Sequence, residues 1–188
     1  AEVSFENTDF VLVIQKRLTN LNQQWGSENK PIFNTRIGIH IGEAIVGNMG
    51  SSDRLNYTAL GDAVNTAARL EGANKFYHTN IIISEDIVQH VRDNCLFRPL
   101  DVVAVKGKNE GVSIYELVGI THGEPFLLPS KQQREFCAIF TRGYQLYREM
   151  RWDEATEVFQ SIQQKVEGDY MVDVYIKRCK EFKKTPPP

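Results

Sequence analysis

An α+β fold, in which helices pack against a sheet and a small all-α tail follows, is predicted by three observations. Residues 35–42 alternate with a period of two, residues 7–25 and 62–72 repeat at three-to-four spacing, and beyond Pro129 the apolar pattern is helical. Mixed helices and strands that give way to helices alone call for a layered domain with a helical appendage.

Taken in order, Asn7, Thr8 and Asp9 precede Phe10, Ile14, Leu18, Leu21 and Trp25, a spacing that predicts one buried stripe on an amphipathic helix ended by Gly26 and the Pro31 loop. Ile37, Ile39 and Ile41 then point one way and Gly38, His40 and Gly42 the other. A second run, residues 44–48, follows so closely that a hairpin turning at Gly42 and Glu43 is expected. Gly38 and Gly42 leave room for a close approach by a helix, a partner chain or a ligand. His40 is read as a packed or partner-facing residue, because no carboxylate lies near it in sequence to orient it as a base.

The run Leu55, Tyr57, Ala59 pivots on Gly61 into a helix whose first residue, Asp62, can cap free backbone donors. On that helix Asn65 and Arg69 stand one above the other. An amide that both donates and accepts suits a sugar oxygen, and a planar, permanently charged guanidinium matches phosphate oxygens. Residues 81–83 form a short strand, and Ser84, Glu85 and Asp86 start a helix through about Arg92, with acids near its positive end. Residues 97–100 and 102–106 lead to a turn at 107–111 and a closing strand at 112–118. The order is helix, two strands, helix, strand, helix, two strands, with residues 55–59 leading into the second helix.

Gly123, Pro125 and Pro129 make residues 119–129 a linker. Phe136, Ile139, Phe140, Gly143, Tyr144 and Tyr147 form one helical stripe, and Trp152, Ala155, Val158, Phe159 and Ile162 another, joined as an antiparallel hairpin. Gly143, Ala155 and Phe159 fall at the small and aromatic offsets of a tetratricopeptide repeat. A third helix from Tyr170 to about Lys183 would cover the open face of residues 130–184, with a disordered 185–188 beyond. One such unit is too little for a solenoid, so the tail is expected to pack on the preceding domain or on another chain.

Composition bounds the function. The chain has 188 residues, 41% hydrophobic and 24% charged, enough for a real core plus an appendage. A net charge of -2 gives no broad attraction for nucleic acid or an anionic membrane, so phosphate binding must be local. Cys95, Cys137 and Cys179 are far apart and read as reduced thiols of a cytoplasmic protein, and neither they nor the histidines show metal-ligand spacing. No apolar run approaches the length of a membrane span. A start at Ala1 rather than Met suggests a fragment of a longer chain.

Residues 36–42, 43–50, the pair Asn65 and Arg69, and Val105-Lys-Gly-Lys108, in this order, resemble the second half of the catalytic domain of class III nucleotidyl cyclases, over about residues 10 to 118. The resemblance implies an incomplete ferredoxin-like sheet-and-helix domain at residues 1–118. It implies head-to-tail pairing of two domains, here a homodimer, with the site across their interface. It further implies ATP as substrate, attack of the ribose 3'-hydroxyl on the α-phosphate, and cyclic AMP with pyrophosphate as products. By matching position, Asn65 would hold the ribose, Arg69 would stabilise the pentacoordinate α-phosphate, and Lys106 would contact the terminal phosphates, with Lys108 a weaker candidate. Thr58 falls where many adenylyl cyclases carry an Asp that recognises the adenine amino group; a subset of bacterial-type enzymes has Thr there, and its oxygen can accept the same bond.

The two Asp residues that hold two Mg2+ or Mn2+ ions in the family lie in a Phe-x-Asp-Ile-x-Gly-Phe-like strand and in a Gly-Asp hairpin ahead of the first helix, and neither segment is in this sequence; Gly61-Asp62 resembles the Gly-Asp pair but sits in the wrong motif, where a helix-cap role explains it better. The expectation is an inactive fragment of an active parent, in which any membrane anchor lies upstream. Two other readings are a catalytically silent regulatory or dimerisation domain, and an interaction module whose helical tail holds a protein partner.

Overall fold

A computed structural model describes residues 5–51, 54–104, 111–166 and 168–187. The elements run α1 (Phe5–Ser27), β1 (Ile37–Ile39), β2 (Ile45–Ser51), β3 (Arg54–Leu60), α2 (Asp62–Tyr77), β4 (Ile81–Ser84), α3 (Glu85–Val91), β5 (Cys95–Val103), β6 (Val112–Ile120), a 3-10 turn (Pro125–Leu127), α4 (Lys131–Arg148), α5 (Trp152–Gln163) and α6 (Tyr170–Lys184). The fold is α+β: four strands in the order β1-β4-β6-β5 form a mixed sheet, and β2 and β3 pair separately as an antiparallel ribbon.

The expected hairpin between residues 35–42 and 44–48 does not form. Ile37, Gly38 and Ile39 pair in parallel with Ile81, Ile82 and Ile83, while Ile45 to Ser51 turn back on Leu60 to Arg54. Strand β4, three isoleucines ending in Ser84 and buried throughout, gives β1 a more apolar partner than β2, whose Gly47, Asn48 and Gly50 offer little to cover. Residues 95–103 form one strand where two were expected; bulges between Leu96 and Phe97 and between Pro99 and Asp101 let Pro99 sit within it.

Each face of the sheet has its own core. Leu12 of α1, Ile81 and Ile83, Ile87 and Val88 of α3, and Leu117 form one. Leu70 of α2, Ile82, Leu100 and Ile114 form the other, together with Phe140, Phe159, Met171 and Tyr175 of the tail. The tail therefore packs on the sheet beside α2. Gly143 lies against Phe159, whose ring would be 2.9 Å from a Cβ there, so α4 and α5 meet closely. Tyr175 fills the space between the tail helices and the sheet, edge-on to Phe140, stacked on Phe159 and donating to the Leu100 carbonyl at 2.5 Å. The segment read as a linker is docked too, with Leu127 buried in the α1/α3 core.

Part of the stripe expected to bury α1 faces outward: Phe10 is 65% exposed and Leu21 42%, while Leu18 and Trp25 are half-buried and it is Thr8 and Leu12 that point fully inward. Val11, Leu12 and Val13 give this helix apolar residues on more than one side, so periodicity alone does not choose the inner one.

Candidate functional site

Helix α2 is built to expose one face by locking the other. Thr66, Leu70 and Asn74 are buried along it. Gly38 allows the closest contact, since a Cβ there would lie 2.3 Å from both the Ala67 carbonyl oxygen and the Glu71 backbone nitrogen. Gly42 likewise faces Ala63, so both glycines serve the approach of a helix. Asn74 donates to the carbonyls of Ile37 at 3.0 Å and Leu70 at 3.1 Å, and its oxygen accepts from Thr79 Oγ1 at 2.9 Å. Arg36 Nε donates to Glu71 Oε1 at 3.0 Å.

The start of α2 depends on Gly61, whose φ of 153° and contact with the Glu43 carbonyl, 2.9 Å from a would-be Cβ, leave no room for a side chain. Gly61, not Asp62, occupies the N-cap, and Asp62 is the acid of the first turn. An open recess lined by Ile41, Gly42, Glu43, Leu60 and Gly61 lies at this junction.

On the outer face Asn65 and Arg69 are both exposed, one helical turn apart. Thr58 is exposed on β3, paired with Gly47. One strand-turn-helix unit thus carries all three. Lys106 and Lys108 lie outside the described residues. His40 is packed as expected, with a side chain only 6% exposed, but a carboxylate does reach it in space: Nδ1 is 2.8 Å from Ser84 Oγ and 3.5 Å from Asp86 Oδ2. Sequence reading missed Asn74, whose signal was its place on the buried side of α2 amid apolar neighbours.

Among the described residues no group of three or more His, Cys, Asp or Glu is gathered where it could hold a metal ion. These residues therefore do not fit the two divalent ions implied by the resemblance. No helix among the described residues is long and apolar enough to cross a membrane.

The molecule is an α+β domain that presents an exposed amide-guanidinium pair on one helix face. More specifically, the chain belongs to the adenylate and guanylate cyclase catalytic domain family, whose model matches residues 5–119. Adenylate cyclase 1 of Rhizobium meliloti is 44% identical over 109 residues, which is 58% of this chain and 16% of that protein. The terminal-differentiation-specific adenylate cyclase of Dictyostelium discoideum is 34% identical over 154 residues, 80% of this chain and 7% of that protein. The crystal structure of the adenylyl cyclase CyaB from P. aeruginosa superposes with a TM-score of 0.49 at 31% identity, covering 61% of this chain and 57% of that one. The chain spans only a small part of the length of these curated relatives.

Proposed function

We propose that this chain supplies the ribose and phosphate half of an adenylate cyclase site, in a protein that converts ATP to 3',5'-cyclic AMP and pyrophosphate for signal transduction. The observation that carries the reading is α2 itself, locked on its inner face and presenting Asn65 and Arg69 together on its outer one. In the reaction the ribose 3'-oxygen attacks the α-phosphorus, the bond to the β-phosphate bridging oxygen breaks, pyrophosphate leaves and the hydroxyl proton is released. Asn65 orients the ribose so that the 3'-oxygen lies in line, and Arg69 neutralises charge building on the α-phosphate oxygens. Thr58 accepts from the adenine amino group, and Lys106 binds the terminal phosphates.

Family membership and the adenylate cyclase relatives support this assignment. The residues of this chain bind, orient and neutralise. The carboxylates for Mg2+ or Mn2+ come from segments bearing the family's two metal-binding motifs, so the 188-residue chain alone is inactive. Homodimerisation is supported by the β2-β3 ribbon, which exposes Ile45, Val46, Leu55, Tyr57 and Leu60.

The test measures cyclic AMP formed from ATP with manganese or magnesium. It compares this chain, a form extended upstream through both metal-binding motifs, and the extended form with Arg69→Ala. Activity confined to the extended form and abolished by the substitution is expected. A folded, dimeric extended form that is silent with ATP and GTP would overturn the proposal and leave a regulatory homologue.

A further inference from the structure

The C-terminal end of α2 is held by the tail. Tyr77, its last residue, donates to Asp101 Oδ2 at 3.2 Å, and the same oxygen accepts from Arg178 Nη1 of α6 at 2.8 Å. The other Asp101 oxygen accepts from the Val102 backbone nitrogen at 2.9 Å, which fixes the carboxylate on β5. One residue beyond α2, His78 stacks on Tyr170, the first residue of α6, with ring centroids 4.0 Å apart and planes 11° from parallel. Met171 lies in the apolar cluster that Ala73, Tyr77 and Val174 pack against.

Helix α6 has its own anchors on the sheet, independent of α2. Asp169, its N-cap, accepts from Arg98 Nη1 at 2.8 Å, and the Tyr175 hydroxyl donates to Leu100. Arg98 is almost fully buried, paired also with Glu116 and lying 5.0 Å from the ring centres of Phe136 and Phe140. A fixed helix thus reaches sideways to the end of the helix that carries Asn65 and Arg69.

We propose that α6 is a clamp on α2. The Arg178-Asp101-Tyr77 chain and the Tyr170-His78 stack set the axial position of α2, so docking of the tail controls how Asn65 and Arg69 are presented. Asp101 and Arg178 are positioning residues. Arg69 lies about two helical turns from Tyr77, and a helix transmits a shift at one end to the other with little loss. The consequence for catalysis rests on the substrate roles proposed above; the mechanical claim does not.

Amide hydrogen exchange on the 188-residue chain tests the clamp directly. Arg178→Ala should raise exchange over residues 70–78 about tenfold, the scale of one lost charge-assisted hydrogen bond, while β4 and β6 keep their protection. Tyr77→Phe, which removes one hydroxyl, should raise it a few-fold, and Arg178→Lys should restore most of the loss. If α6 loosens while residues 70–78 are unchanged in both variants, the clamp is refuted. It is equally refuted if Tyr77→Phe loosens β4 and β6 as much as α2. In the extended, cyclic AMP-producing form, Arg178→Ala should lower kcat about tenfold with KM for ATP nearly unchanged, and Arg178→Lys should recover it. Normal kcat in Arg178→Ala would overturn the control of the site. An extended form with no activity would overturn the cyclase proposal and leave the exchange result standing.

Discussion

Replacing Gly38 by Ala probes the seat of α2. The added Cβ would lie 2.3 Å from the Ala67 oxygen, 2.3 Å from the Glu71 nitrogen and 2.8 Å from the Leu70 carbonyl carbon. All three are helix backbone atoms, so no side chain can swing aside. Restoring ordinary contact distances requires α2 to retreat by about 1 Å. That stretches the 3.0 Å bond from Asn74 to the Ile37 carbonyl past useful range. Overpacking of this kind costs about 1–3 kcal/mol and a lost hydrogen bond about 1 more, giving roughly 3 kcal/mol in all. With a urea dependence of about 2 kcal/mol per molar, the unfolding midpoint should fall by about 1.5 M. Gly72→Ala on the same helix is the control. Nothing lies within 4 Å of its Cβ position, so relief of a helical glycine should stabilise by about 0.5–1 kcal/mol. A Gly38→Ala midpoint within about 0.3 M of the parent would refute the close seating of α2 on β1, since that shift is below the cost of even one methyl overpacked.

Three further outcomes are expected. Arg98→Met leaves Glu116 and Asp169 without their buried partner and should cost about 3–5 kcal/mol by urea unfolding; adding Glu116→Met should recover at least half, and additive losses would refute the triad. Burial pushes the thiols of Cys95 and Cys137 up to about 11, so the folded chain should resist iodoacetamide at pH 8. The unfolded thiols ionise first, so stability should decline as pH rises from about 9 to about 11, less so in the double Cys→Ala variant. Ile45→Thr with Tyr57→Thr, at positions 73% and 76% exposed, should weaken self-association in sedimentation while changing stability by about 0.5 kcal/mol or less; unchanged association would remove the ribbon from the dimer surface.

What the sequence revealed follows from which forces are local. The tail was readable because Phe140, Tyr144 and Tyr147, then Ala155 and Phe159, carry a helical period that needs no distant partner to be recognised. The outward pair Asn65 and Arg69 was readable for the same reason. Strand pairing was not: β1 joins β4 across the intervening ribbon and helix, and alternation names a face without naming a neighbour. Helix α1 shows the complementary limit, since its apolar residues suit two sides and the sheet selects Leu12 over Phe10. The anchors of the tail were hidden for a related reason, because Arg98, Asp101, Asp169 and Arg178 look like ordinary surface charges until the fold brings them together.

The core shared by Ile82, Leu100 and Ile114 with Phe140, Phe159 and Tyr175 also sets an order of events during biosynthesis. The sheet strands leave the ribosome well before the helices that cover them. A nascent chain halted at Pro129 has only α2, through Leu70, to cover Leu100 and Ile114, and leaves the rest of that apolar face open. Residues 131–184 must follow before Phe140, Phe159 and Tyr175 can complete the core on that face, so the sheet depends for its cover on segments synthesised after its own strands.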